Sequence, residues 1–125
     1  MRRRFLALAL LALPGTAQAE ALAGPWRVTG AILGHAFVLD CRFAAPNSGS
    51  AGACTETGEG GEGHAGKVHP LTRAGQSGNQ VSWSYPASAF LLHFDMTFSG
   101  TLADNRITGT ATAAGRKGAF TASRS

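Results

Sequence analysis

The chain has 125 residues, of which 44% are hydrophobic, 14% charged and 17 glycine, with a formal net charge of +4 at pH 7. That length supports one modest core rather than several domains, and the glycine content argues against long helices. Arg2, Arg3 and Arg4 supply three of the eleven basic residues, so residues 20–125 carry eight bases against seven acids, and the composition gives no support to a nucleic-acid partner.

Met1-Arg2-Arg3-Arg4 is a positive cluster, Phe5 to Leu13 an unbroken apolar run, Pro14-Gly15 a break, and Ala17-Gln18-Ala19 a small-x-small site. These are the parts of a secretory signal peptide, so residues 1–19 are expected to be cleaved. The apolar run is shorter than the roughly 20 residues a membrane-spanning helix needs. Glu20, not a cysteine, follows Ala19, so no stable membrane anchor is expected. The expected product is residues 20–125, a single domain in the periplasm or secreted. In that oxidising setting Cys41 and Cys54 are expected to form a disulfide.

The remainder reads as strands. Trp26, Val28, Gly30 and Ile32 share one face of the first, and Gly34-His35 reads as a turn. Phe37, Leu39, Cys41 and Phe43 share the inward face of the second. Pro46-Asn47-Ser48-Gly49 is turn chemistry. A strand from Ala51 to Thr57 is expected to return alongside and bring Cys41 and Cys54 together. Gly58 to Gly63 reads as a flexible loop, and Lys67 to Arg73 as a weak strand interrupted by Pro70. After a turn at Ser77-Gly78-Asn79, Val81, Trp83 and Tyr85 alternate with serines, and Pro86 is expected to end that strand. Phe90, Leu92, Phe94, Met96, Phe98, Gly100 and Leu102 hold one face of the longest alternation. Asp104-Asn105 is a two-residue hairpin signal, and Ile107, Gly109 and Ala111 continue the inward face. A turn at Gly115 to Gly118 leads to a last strand with Phe120 and Ala122. The pattern predicts an all-β fold, a small antiparallel up-and-down barrel of about seven or eight strands, with a β-sandwich as the alternative.

Few polar groups suggest chemistry. His64 follows Glu59 and Glu62, and His69 lies five residues on. Imidazole and carboxylate suit zinc or copper. The spacing matches no closed site, and ordering a glycine-rich loop is entropically costly, so a solvated loop is expected, with no metal and no cofactor. His93 and Asp95 share the outward face of one strand, with no nucleophile marked beside them. Arg116-Lys117-Gly118 reads as a charged hairpin tip. The chain holds no nucleophile elbow, dinucleotide fingerprint or paired-carboxylate constellation, which points away from an enzyme.

Leu22-Ala23-Gly24-Pro25-Trp26, followed by Cys41 and Cys54, resembles the small exported β-barrel inhibitors of bacterial metalloproteases. That resemblance implies a role for Glu20 to Gly24 as an arm entering a protease cleft. The early Gly-x-Trp and the glycine-punctuated hairpins of residues 98–102, 107–110 and 118–124 are also similar to the calycin-like barrels, lipocalins and avidins. This implies architecture rather than activity. The expected function is that of an exported, non-enzymatic protein binding a small apolar or amphipathic ligand. Its expected lining is Trp26, Phe37, Trp83, Tyr85, Phe94 and Met96, side chains that read more readily as a packed core. The alternatives are a protease inhibitor or other protein-binding module of the periplasm, or an envelope protein with no ligand.

Overall fold

Period-2 alternation places apolar side chains on one face of the long strands, and two-residue turns fold most strands back on their predecessors. The computed structural model describes residues 20–59, 64–89 and 91–125. The expected signal peptide (1–19), residues 60–63 of the glycine-rich loop and Phe90 lie outside the described residues. The described residues form nine strands: β1 (Gly24–Ile32), β2 (His35–Phe43), β3 (Gly52–Glu56), β4 (Val68–Pro70), β5 (Arg73–Ser77), β6 (Gln80–Ala89), β7 (Leu92–Ala103), β8 (Arg106–Ala113) and β9 (Arg116–Arg124). All belong to one antiparallel sheet, ordered β4-β3-β2-β1-β9-β8-β7-β6-β5 and curled into a half-barrel. The all-β expectation therefore holds, and the two sheets of a sandwich do not form. The count rises to nine because the weak strand around Pro70 is two strands, β4 and β5.

The turns explain the register. Asp104 and Asn105 both take left-handed backbone, with φ of 56° and 60°, as a two-residue hairpin of matching twist requires. Leu33-Gly34 and Ala114-Gly115 repeat that pattern, with φ of 52° and 80°, then 50° and 78°. These turns correct two sequence expectations. The first turn sits one residue earlier than Gly34-His35. The last is Ala114-Gly115, so Arg116, Lys117 and Gly118 belong to β9. Pro86 does not end its strand either: β6 continues to Ala89, with Pro86 opposite Asp95 of β7. Pairing of β6 with β5 stops at Ser84, so beyond that residue β6 is bordered by one ladder only and tolerates a missing N–H.

The strands alternate in direction, which defines two ends. The β1–β2, β3–β4, β6–β7 and β8–β9 connections lie at the upper end. The β2–β3, β5–β6 and β7–β8 connections lie at the lower end, with Glu20 and the last strand's terminus. β4 and β5 are the two edges of the sheet, yet only Leu71 and Thr72 separate them in the chain. Leu71 N–H donates to the Gly52 carbonyl on one edge, and Thr72 N–H donates to the Ser84 carbonyl on the other, both at 2.9 Å. Thr72 Oγ1 also donates to the Ser84 carbonyl, and Arg73 Nε to Ser84 Oγ, each at 3.0 Å. The chain itself bridges the two edges of the curled sheet.

Tight curvature needs small inward residues at the middle of the sheet. A Cβ on Gly109 would stand 2.0 Å from the Ser99 carbonyl oxygen, and one on Gly118 would stand 1.8 Å from that of Ala31. Over this curve packs an aromatic block. Trp83 stacks on Phe98 with ring centroids 5.0 Å apart, and its edges meet Phe43 at 4.7 Å and Phe120 at 5.5 Å. Trp26, Val28, Leu102 and Ile107 complete the core. Cys41 and Cys54 face each other across the β2–β3 ladder and form the expected disulfide.

Three outcomes test this account. Gly109→Ala should cost about 1–3 kcal/mol in chemical denaturation. Gly75→Ala, with open space around it and an ordinary φ, should be neutral or slightly stabilising. Replacing Cys41 and Cys54 together by serine should lower unfolding free energy by about 3 kcal/mol, the value for a loop this short.

Candidate ligand-binding site

The two ends of the half-barrel are built differently. At the lower end residues 20–24 form a lid. Leu22 is buried, and its carbonyl accepts a 2.7 Å hydrogen bond from Trp26 Nε1. The Arg124 guanidinium lies 4.1 Å above the centre of the Trp26 ring and donates to the carbonyls of Ala23 and Ala21 at 2.8 and 2.5 Å. The Glu20 carboxylate accepts from the backbone N–H groups of Asp104 and Asn105 at 2.7 and 2.8 Å. Gln76 Oε1 accepts from Leu22 N–H at 2.9 Å. The segment expected as a projecting arm is therefore fixed along its length, and its partners lie in β5, the β7–β8 turn and β9.

At the upper end the interior is less covered. Burial falls along β7 from Phe98, fully buried, through half-buried Met96 and Phe94 to Leu92, which is 55% exposed. On the facing strands Phe37, Ile32 and Ala87 are likewise only partly buried. Phe37 meets Phe98 edge-on at 6.0 Å. These side chains share the inward face by strand parity and form an apolar mouth above the aromatic block.

The six residues expected to line a site thus divide. Trp26 lies under the lower lid, and Trp83 and Tyr85 lie in the core, at 0%, 0% and 4% exposure. Phe37, Phe94 and Met96 border the mouth. Two surface hollows lie elsewhere. One, of about 750 Å³, runs along the lower end between the Ala44–Ala51 loop and β5. The other, of about 730 Å³, lies on the outer wall beside Arg27, Asp40, Arg42 and Arg124.

Sequence reasoning missed the polar side of the mouth. Cys54 and Glu56 share parity, so Glu56 turns inward. On β4 the same alternation turns His69 inward, opposite Cys54. His69 Nε2 donates to Glu56 Oε2 at 2.5 Å, and the His69 ring stacks on Tyr85 at 4.5 Å. The other Glu56 oxygen accepts the His64 N–H at 2.6 Å. Glu56 also bonds the returning loop through its backbone, accepting from Gly66 and donating to the Lys67 carbonyl. His69, expected in a solvated loop, is thus 7% exposed and paired. Two-residue parity from Cys54 would have found Glu56. Nothing local marks His69.

Burial acts to raise the Glu56 pKa, but the hydrogen bonds from His69 and His64, with the charges of His69 and Lys67, outweigh it and hold the carboxyl below its ordinary value. Burial, and then the Glu56 charge, push the Tyr85 phenol up, so it is a neutral group at physiological pH. Outside, Arg27 pairs with Glu59, whose hydrogen bond and charge raise its pKa, and lies 3.6 Å from Asp40. His93 and Asp95 stay on the exposed outer face of β7. Among the described residues no group of three His, Cys, Asp or Glu side chains is placed to hold a metal ion. Glu62, a member of the cluster considered from sequence, lies outside the described residues.

No protein-family model matches the chain, and no curated protein or solved structure shows significant similarity to it. The half-barrel is therefore established by its own sheet, and the function must be argued from the side chains.

The depressed Glu56 pKa has a testable sign. The unfolded chain protonates Glu56 near 4.5, while the folded chain holds it ionised to lower pH. The stabilisation is complete above that value and is lost as pH falls through the folded pKa. Denaturant midpoints measured from pH 7 down to 3 should fall below pH 4.5, and Glu56→Gln should flatten that fall.

Proposed function

We propose that the protein is an exported, non-enzymatic binding protein that takes a small apolar or amphipathic ligand at the upper mouth of the half-barrel. The observation that carries this reading is the gradient along β7. Inward aromatic and large aliphatic side chains that would be fully covered in a closed core remain half-buried at the upper end. Phe37, Phe94 and Met96 supply apolar walls, and the Glu56–His69 pair, backed by the buried Tyr85 ring, supplies a polar flank on β3 and β4. Sites for small molecules commonly join a mostly apolar wall to a few fixed polar groups. The aromatic block of Trp83, Phe98 and Phe120 forms the floor and keeps the ligand shallow.

The disulfide is consistent with an oxidising, extracytoplasmic location. Together with the signal-like residues 1–19 it supports export to the periplasm or the medium. The calycin-like resemblance supports the same reading at the level of architecture. A protease-inhibitor role has less support, because residues 20–24 are held down by hydrogen bonds from three parts of the chain, β5, the β7–β8 turn and β9.

The test is a titration with an environment-sensitive apolar dye, 1-anilinonaphthalene-8-sulfonate, and competition by a medium-chain fatty acid. Saturable dye binding is expected, with Phe94→Ala weakening it about tenfold through loss of a buried aromatic contact. Leu39→Ala, below the mouth, should lower stability more than dye affinity. Absence of saturable binding by the native protein sinks the reading.

A further inference from the structure

Among the described residues four large apolar side chains are conspicuously exposed: Leu33 at 65%, Val68 at 55%, Leu91 at 97% and Leu92 at 55%. Val68 lies on the outer side of the short edge strand β4. The other three stand on, or directly beside, turns of the upper end. The lower-end turns carry Asn47, Ser48, Gly78, Asn79, Asp104 and Asn105 instead. The fold does not ask for this difference. Leu33 sits at φ 52°, a left-handed position that favours glycine or asparagine and penalises leucine. A leucine that is both conformationally disfavoured and exposed to water has no stabilising role in the free protein.

The described charges of the same end lean positive, although Asp95 stands exposed on the outer face of β7 there. Arg116 and Lys117 follow the upper turn Ala114-Gly115, both exposed and with no ion partner among the described residues. Lys67, also exposed, closes the β3–β4 loop at this end. The described acid of that loop, Glu59, is engaged by Arg27. Apolar knobs ringed by unpaired cations match an anionic bilayer surface, where leucines enter the interface and cations meet headgroup phosphates.

We propose that the upper end is a membrane-docking face for anionic phospholipid, with Leu33 and Leu91 inserted at the interface and Arg116 and Lys117 held against the phosphates. This goes beyond ligand binding and rests on other residues, those outside the mouth rather than within it. Docked this way, the mouth opens toward the lipid.

The purified exported protein is sedimented with vesicles of phosphatidylcholine alone, or of phosphatidylcholine with phosphatidylglycerol, in ~0.1 M salt. Binding is expected to the anionic vesicles and to be at least tenfold weaker on the zwitterionic ones. The double variant Arg116→Ser, Lys117→Ser should lose roughly thirty-fold in partition, and Leu33→Asn, Leu91→Asn about tenfold. Unchanged circular dichroism confirms folding in both, and asparagine suits the backbone at position 33. The proposal fails if the two vesicle types bind equally, or if the leucine variant binds anionic vesicles as well as the native protein does. It also fails if gel filtration shows a dimer that the leucine variant dissociates while vesicles are ignored, since the face would then belong to a second copy. The dye titration is run without vesicles, so failure of one reading leaves the other measurable.

Discussion

Two consecutive backbone amides, those of Leu71 and Thr72, reach opposite edges of the sheet, and the rest of the architecture depends on that exchange. β4 has three residues and β5 five, and neither would hold an edge alone. Joined through a two-residue link, they act as one strand that pairs with β3 above the link and β6 below it. The His69–Tyr85 stack and the Arg73–Ser84 hydrogen bond lie at the same seam. A sheet with two free edges could flatten or recruit another chain. Here the covalent backbone limits how far the edges can part, and it does so without the ladder that a regular barrel uses.

The seam also explains why the polar interior cluster sits where it does. A strand that changes partners leaves inward positions without a close-packed neighbour on one side. Glu56, His69 and Tyr85 fill that position with hydrogen bonds and a ring stack. A lone buried carboxylate would carry a large desolvation cost. With both oxygens accepting donors, Glu56 instead becomes the point to which the returning 64–69 segment is tied. The aromatic block has the opposite economy. It is so densely apolar that Trp83 Nε1, fully buried, finds no partner among the described residues. That orphan costs about 1–3 kcal/mol, and the stacked rings around it more than offset the cost by area alone.

How much of this was legible in the sequence follows from how local each cause is. Alternation in β2 and β7, the Asp104-Asn105 turn and the Cys41–Cys54 pairing are set by neighbours two residues apart or by one hairpin, and they could be read directly. Pro86 could not, because whether a proline ends a strand depends on which of its two neighbouring strands is absent. Leu22 looked like part of a loose arm, since nothing near it in sequence announces Arg124, Gln76 or the 104–105 turn as its anchors. Glu56 and His69 are thirteen residues apart across a glycine-rich loop, and polar character outweighed parity in reading them. Of the candidate lining, Phe37, Phe94 and Met96 fall at the mouth while Trp26, Trp83 and Tyr85 fall in the core. Alternation gives the face of a residue but not its height along the barrel.

Height is what distinguishes the two ends, and the asymmetry has one origin. The chain enters at the lower end, so residues 20–24 are available there as a lid and Arg124 of the last strand is available to fasten it. Among the described residues no such segment reaches the upper end, where each connection is a hairpin turn or the glycine-rich loop. A half-barrel whose lid is built from residues 20–24 therefore leaves its opposite end dependent on short turns too small to cover Phe37, Phe94 and Met96. On the proposed reading, this is why ligand and lipid surface are met at one place. The end that the fold cannot close is also the end whose turns carry leucines and beside which Arg116 and Lys117 begin β9. A shallow site above a rigid aromatic floor favours exchange with a surface over long retention, because little of the ligand can be buried before the Trp83–Phe98 stack stops it.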